Sequence, residues 1–453
     1  MTKNLTVGNP ALLILSFTVP LLIGNLFQQF YNMADAFIVG RTIGVQALAA
    51  VGCTGSIGFF ILGFLLGFTQ GASIITSQRF GAGDTAGVRR SFAVSIVLGV
   101  SVTVVLTVIS VSAARPILEL LRTPPDIIDA AYSYIIVIFW GIAAVVLFNL
   151  LSSVMRAVGD SRTPLIFLVI ACIINIILDY VFILVFRTGV EGAAYATIIA
   201  QLLSGLCCIP VIITKLPMLR ITREDWKFDK AEVIIHLKVA LPVGFQMSII
   251  AIGALGLQFA LNGLGTVAVA AFTAAQKIEQ FAIMPMSSFG AAMTTYAAQN
   301  YGARKVDRIR KGIIQCCGMS GSITVVMSIL FIIFGRSLAA IFIVDNPEAI
   351  ALARTFLVIN GSCYIILAIM FILRQTIQGL GQSLVPTIAG VMELVMRLFA
   401  AIILSERFGF TGACFASPLA WLGALIPVTI AVVLTLKDLK RKALGEWRAF
   451  NTV

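Results

Sequence analysis

Long apolar stretches follow one another almost without pause along this chain of 453 residues. Twelve can be drawn, at roughly 11–38, 45–76, 91–113, 130–155, 164–186, 191–213, 236–262, 267–297, 313–335, 351–377, 385–405 and 410–436. Each reaches the ~20 residues that a helix needs to cross about 30 Å of hydrocarbon. Barrel strands would instead read as short alternating segments, because only helices and closed barrels satisfy their backbone groups in lipid. The pattern therefore predicts an all-α polytopic membrane protein with twelve transmembrane helices. Several runs are longer than a span requires, so tilt, kinks or extension into water are expected. The first run is read as a helix rather than a signal peptide, since Gln28, Gln29 and Asp35 interrupt it and no clear cleavage site follows.

Composition agrees with a membrane protein: 59% of residues are hydrophobic and 11% charged, against about a quarter charged in soluble domains. A net charge of +12 could suggest a nucleic-acid partner. Its distribution argues for topology instead. With a cytoplasmic N-terminus, 22 of the 32 Lys and Arg fall on the cytoplasmic side and seven (Arg41, Arg115, Arg122, Arg187, Arg336, Arg354, Arg407) on the other. Such an excess marks the inner face of a membrane, so no nucleic acid is needed to account for the charge. Eight cysteines lie in apolar segments without a C-x-x-C pair, and His236 is the sole histidine. Neither a metal site nor a disulfide framework is expected. No P-loop occurs, and no His, Cys and acid constellation points to an enzyme.

The chain also repeats itself. "QRFGAGDTAGVRR" (78–90) resembles "QNYGARKVDRIRK" (299–311), "GDSRTP" (159–164) matches "GQSLVP" (381–386), and "GVEGAAYAT" (189–197) matches "GFTGACFAS" (409–417). Pro20 answers Pro242. All offsets lie between 220 and 222 residues, which predicts a duplication. Six helices per half is an even number, so both halves enter from the same side and a pseudo-twofold axis along the membrane normal should relate them. The boundaries expected are an N-lobe at 1–214, a cytoplasmic linker at 215–235, a C-lobe at 236–436 and a basic cytoplasmic tail at 437–453.

Charges at membrane depth are expensive, about 2.5–3.5 kcal/mol for an Asp at a helix centre, and point to function by default. Asn175 and Asp179 are four residues apart in the fifth run and share one helix face. Asp35 lies in the first run, fifteen residues past Pro20. If these helices adjoin, two carboxylates, an amide and the hydroxyl of Thr197 can converge. Such a group can hold a proton, or form a hard-oxygen cage for a small cation. In the second half, Lys277 and Glu279 are two apart and point to different faces. Glu393 and Arg397 are spaced for an ion pair within one helix. Arg374 either joins a site or snorkels toward the cytoplasmic interface. Gln28, Gln246 and Met284 are candidates for a wet, adaptable cleft, and interhelical packing is the plainer explanation for each.

In their order and duplication, these segments resemble the multidrug and toxic compound extrusion (MATE) family, in its DinF-like prokaryotic branch. The resemblance runs through "VPLLIGNLFQQFYNMADAFIVG", "QRFGAGD", "RAVGDSRTP", "GVEGAAYAT" and "AAFTAAQKIEQFAIMPMSSFGAAMTTYAAQNYGA". It implies two six-helix lobes around a V-shaped central cleft, and export of varied compounds against an inward H+ or Na+ gradient. It also places Asp35, Asn175, Asp179 and Thr197 at the N-lobe cation site and Pro20 at a conformational hinge. The seventh and tenth helices lack the acids that other branches carry, so coupling is expected in the N-lobe.

The combined expectation is a multidrug efflux antiporter of the inner membrane, driven by H+ in preference to Na+, with both termini cytoplasmic. It would be monomeric, need no cofactor, and act on amphiphilic, mainly cationic, small molecules. Gln28, Gln246, Lys277, Glu279, Met284 and Arg374 are its candidate cleft residues. The alternatives are a lipid-linked precursor flippase of a related superfamily and a non-transporting scaffold.

Overall fold

A computed structural model describes residues 3–121, 123–227, 229–343 and 346–450. Arg122 and the last three residues of the tail, 451–453, lie outside this range. No strand occurs among the described residues. The chain is an all-α multi-pass membrane protein with twelve long helical segments. The first three are Pro10–Thr42, Val45–Gly81 and Thr85–Leu120. The fourth, Ile128–Trp140 with Ile142–Ala157, is bent by 48° at Gly141, as a glycine break permits. The fifth is Arg162–Tyr180 and continues through a π-turn at Val181–Val185. The sixth to tenth are Val190–Lys215, Lys230–Asn262, Thr266–Gly302, Val306–Phe342 and Pro347–Gly379. The eleventh starts as Leu384–Phe399, passes through a π-turn at Ala400–Leu404 and ends as Ser405–Cys414. The twelfth is Ala416–Phe450.

Among the described residues, ten of these are single helices long and apolar enough to cross a membrane, and the bent fourth makes eleven. The eighth is the twelfth such segment by length, with 37 residues. It is interrupted by Lys277, Glu279 and several Gln, Ser and Thr residues.

The helices group into two units. One comprises Met1–Asn4 and Pro20–Ser248, the other Leu5–Val19 and Ile249–Val453. The first helix therefore changes unit at Pro20, and the seventh changes at Ser248. The proline explains part of this. It removes one rung of the helical ladder and crowds the preceding turn, while the Thr18 hydroxyl donates to the Ile14 carbonyl at 2.8 Å.

In the first unit, Gly67 and Gly71 of the second helix let the seventh approach closely. A Cβ on Gly67 would lie 2.5 Å from the Val243 carbonyl oxygen, and one on Gly71 would lie 2.7 Å from Ala240 Cα. This is the small-xxx-small device by which membrane helices gain van der Waals contact where lipid gives no hydrophobic drive. The second unit has its own core, in which Phe272 meets Phe356, and Tyr364 meets Phe331 and Trp421. Rows such as Val100, Val104 and Val108 are exposed on the third helix, and Ile329 and Ile333 on the ninth. Lipid is the solvent that accepts them.

Candidate functional site

The first unit brings the first, fifth and sixth helices together around a small pocket. Gln28, Tyr31, Cys172, Asn175, Thr197 and Gln201 line it, with Leu168, Ala171 and Ala200. The Tyr31 and Thr197 hydroxyls hydrogen-bond at 2.9 Å, and Asn175 Nδ2 donates to Thr197 Oγ1 at 3.5 Å. Asn175 and Asp179 are both buried on one face of the fifth helix, at 1% and 0% exposure. Asp35 is half-buried on the first helix and within electrostatic reach of Asp179. Tyr31 and Tyr134 feel both carboxylates.

The decisive feature is what these oxygens lack. Both carboxylate oxygens of Asp179, one of Asp35, the Asn175 carbonyl oxygen and the Gln201 carbonyl oxygen are buried without a hydrogen-bond partner among the described residues. Buried polar groups are normally satisfied, and an isolated ionised carboxylate in a low-dielectric interior is costlier still. A cluster of unmet acceptors has the chemistry to take a hydrogen-bond donor or a positive charge. The π-turn begins two residues after Asp179. Such turns are often found at functional sites because they re-aim the neighbouring side chains.

The sequence-derived quartet Asp35, Asn175, Asp179 and Thr197 thus lies in one unit around one locus, with Gln28 on the pocket wall. Tyr31 was not singled out in the sequence. Its spacing of four from Asp35 was the available signal, because that places both on one helix face. Pro20 is buried in the first helix. Gln246 is also in the first unit, buried in the seventh helix and engaged in its own interaction.

The second-half candidates lie elsewhere, in the second unit. Lys277 is exposed, whereas Glu279 is buried and accepts a hydrogen bond from the Tyr364 hydroxyl at 3.2 Å. Met284 is buried in the same helix. Arg374 does not snorkel. It is 3% exposed and bonds Glu393 at 2.6 Å, while Arg397 holds the other oxygen of that carboxylate at 2.9 Å. The cost of desolvating a guanidinium is offset here by a buried counter-ion. The Nε atoms of both arginines have no hydrogen-bond partner among the described residues.

Comparison with known proteins bears on this arrangement. The MatE family model matches the chain twice, over residues 20–181 and 242–403. The chain belongs to the MatE family. The two matches are offset by 222 residues, the spacing of the internal repeat, so each MatE segment covers one copy. Among relatives, the probable multidrug resistance protein YpnP of Bacillus subtilis is 30% identical over 93% of this chain and 91% of its own length. The multidrug export protein MepA of Staphylococcus saprophyticus is 24% identical over 88% of each. Among solved structures, a MATE protein crystallised with MaL6 superposes with a TM-score of 0.90 at 24% identity, covering 97% of this chain and all of that one. An outward-facing multidrug resistance MATE transporter of the MOP superfamily gives 0.87 at 24% identity, covering 97% and 99%. These two likenesses establish the MatE fold for the chain.

Proposed function

We propose that this protein is a secondary active exporter in the cytoplasmic membrane. It uses an inward cation gradient, H+ in preference to Na+, to expel amphiphilic, mainly cationic, small molecules. The observation that carries the reading is the buried, unpartnered Asp179 beside Asn175 and Asp35. The names of the relatives, multidrug resistance and multidrug export proteins, support the direction and class of cargo.

A proton satisfies an orphaned carboxylate with a single bond. A sodium ion would need a shell of oxygens drawn in from Asp35, Asn175 and Thr197. In the proposed cycle, the ion enters from outside, binds among these groups and neutralises charge. This alters the first helix near Pro20, where its packing changes unit, and lowers the affinity for cargo. Release inside resets the protein. Coupling then comes from different affinities in two states. The chain acts as a monomer without a cofactor, with both termini cytoplasmic.

The flippase alternative drew on basic residues at depth. Arg374 and Arg397 are both held on Glu393, which leaves less free charge for an anionic head group. The test is transport of a fluorescent cationic compound in proteoliposomes under a proton or a sodium gradient imposed separately. Movement driven by one gradient supports the reading and names the ion. No movement under either, with lipid scrambling instead, would overturn it.

A further inference from the structure

The linker after the sixth helix is a folded element of the first unit. Leu216 and Leu219 are each 1% exposed and join a core with Val88 and Phe92 of the third helix. Arg220 Nε caps the sixth helix by donating to the Ile213 carbonyl. A short 3-10 turn, Arg223–Trp226, follows. Its Asp225 carboxylate accepts from Thr222 N and Oγ1, both at 2.7 Å, and from Arg89 at 3.0 Å. An apolar dock and an ionic dock thus fix one face of the linker.

The exposed side of the linker is largely basic. Lys215, Arg220, Arg223, Lys227 and Lys230 are exposed, against exposed Glu224 and Asp229. Trp226 is 47% exposed, between Arg223 and Lys227. Asp225, the acid that could have balanced this face, is turned inward to Arg89. Cations gathered at the end of a membrane helix attract anionic lipid, and tryptophan favours the headgroup layer because its ring is apolar and its N–H polar. Because the turn is already ordered, binding there costs little conformational entropy.

We propose that this face binds anionic phospholipid headgroups of the adjoining leaflet, with Trp226 seated at the headgroup level. Lys215 ends the sixth helix and Lys230 opens the seventh, so both stand where spans emerge from the bilayer.

The full-length protein would be placed in phosphatidylcholine nanodiscs containing a minor share of brominated lipid, either phosphatidylglycerol or phosphatidylcholine. Tryptophan quenching would be read, with Trp447 of the basic tail replaced by Phe throughout, for the otherwise wild-type protein, Trp226→Phe and the triple variant Arg223→Gln, Lys227→Gln, Lys230→Gln. These three basic residues are exposed, so the fold should survive. Brominated phosphatidylglycerol should quench the wild type more than the same share of brominated phosphatidylcholine. That excess should vanish in Trp226→Phe. In the triple variant the preference should fall by roughly one to two orders of magnitude at low salt. Equal quenching by the two lipids in the wild type, or an excess that survives in the triple variant, would overturn the proposal. Reversal of the excess by millimolar inorganic phosphate would assign the site to a free anion and overturn it equally.

Discussion

Asp179→Asn separates a coupling role from a structural one, because the two roles predict opposite changes in stability. Asp179 is fully buried and neither carboxylate oxygen has a hydrogen-bond partner among the described residues. The substitution is isosteric and removes no observed bond. Removing an Asp from the centre of a span relieves about 2.5–3.5 kcal/mol on insertion scales. An amide in its place still lacks partners and costs about 1–3 kcal/mol. The balance is near zero or favourable, so the melting temperature in detergent should be unchanged or a few degrees higher. Coupling should largely fail. Allosteric coupling energies run to about 1–3 kcal/mol, a factor of roughly 5–150 in cargo affinity between ion-bound and ion-free states. With the buried carboxylate gone and only the half-buried Asp35 left to titrate, that factor should fall toward one. Cargo affinity should then lose most of its dependence on pH or sodium, and gradient-driven uptake in proteoliposomes should drop close to the leak. The reasoning is refuted if Asp179→Asn pumps as well as the wild type. It also fails if the variant melts many degrees lower, which would show that the carboxylate holds the fold.

The remaining predictions concern its neighbours and the two ionic structures. Thr197→Val removes the hydroxyl that meets Tyr31 and Asn175; at about 1 kcal/mol per hydrogen bond, the half-saturating ion concentration for transport should rise roughly fivefold while the melting temperature changes little. Glu393→Gln removes the carboxylate that the Arg374 and Arg397 guanidiniums share in the second unit. It should destabilise by about 3–5 kcal/mol, and adding Arg397→Gln should recover part of that loss in a thermal melt. Asp225 should make the linker dock sensitive to acid. Burial pushes its carboxyl up, but hydrogen bonds from Thr222 and the Arg89 guanidinium outweigh this and hold it below the usual carboxylate range. A depressed value contributes stability above the unfolded value of about 3.9, which is lost as pH falls through the folded one. Proteolysis in the linker should therefore be slow at neutral pH and quicken in strong acid, whereas Asp225→Asn should be cut fast throughout.

Much of this architecture is legible in the sequence because the bilayer leaves so few choices. Unsatisfied backbone cannot face lipid, so each long apolar run has to be a helix. The eighth helix was also legible by length, although its polar residues blur it. The change of unit within the first and seventh helices was not, because hydropathy records burial and not the neighbour that provides it. At the site, the i,i+4 spacing of Asn175 and Asp179 fixed one face, and the partnership with Asp35 needed tertiary contact. Tyr31 was hidden because aromatic residues are common in such helices for packing alone. For Arg374, both snorkelling and pairing fit its position five residues before the end of the tenth helix. The structure chose pairing because Glu393 stands within hydrogen-bond distance.

The duplication sharpens the case for one coupling site. Each repeat places a π-turn late in its fifth or eleventh helix, at Val181–Val185 and Ala400–Leu404. Before the first turn stands Asp179 with both oxygens unmet. Before the second stand Glu393 and Arg397, and the Glu393 carboxylate is closed by a guanidinium on each oxygen. A carboxylate with two cations on it has little need of a further ion, whereas a bare one requires a proton or a metal cation to be stable in that setting. The same divergence recurs at the segments leading into the first and seventh helices. In the second unit, Asn300, Lys305 and Arg308 grip the backbone carbonyls of Leu5, Thr6 and Gly8. In the first unit, Arg79 and Arg89 grip the carboxylates of Glu232 and Asp225. Glu393 stands seven residues before its turn and Asp179 two before its own, so the two acids do not occupy equivalent places, and the repeat of 220–222 residues leaves Asp179 without an acid counterpart in the second half. If the proposed coupling is right, it should therefore depend on Asp179 in the first unit and survive loss of the Glu393 carboxylate in the second, as far as that variant still folds.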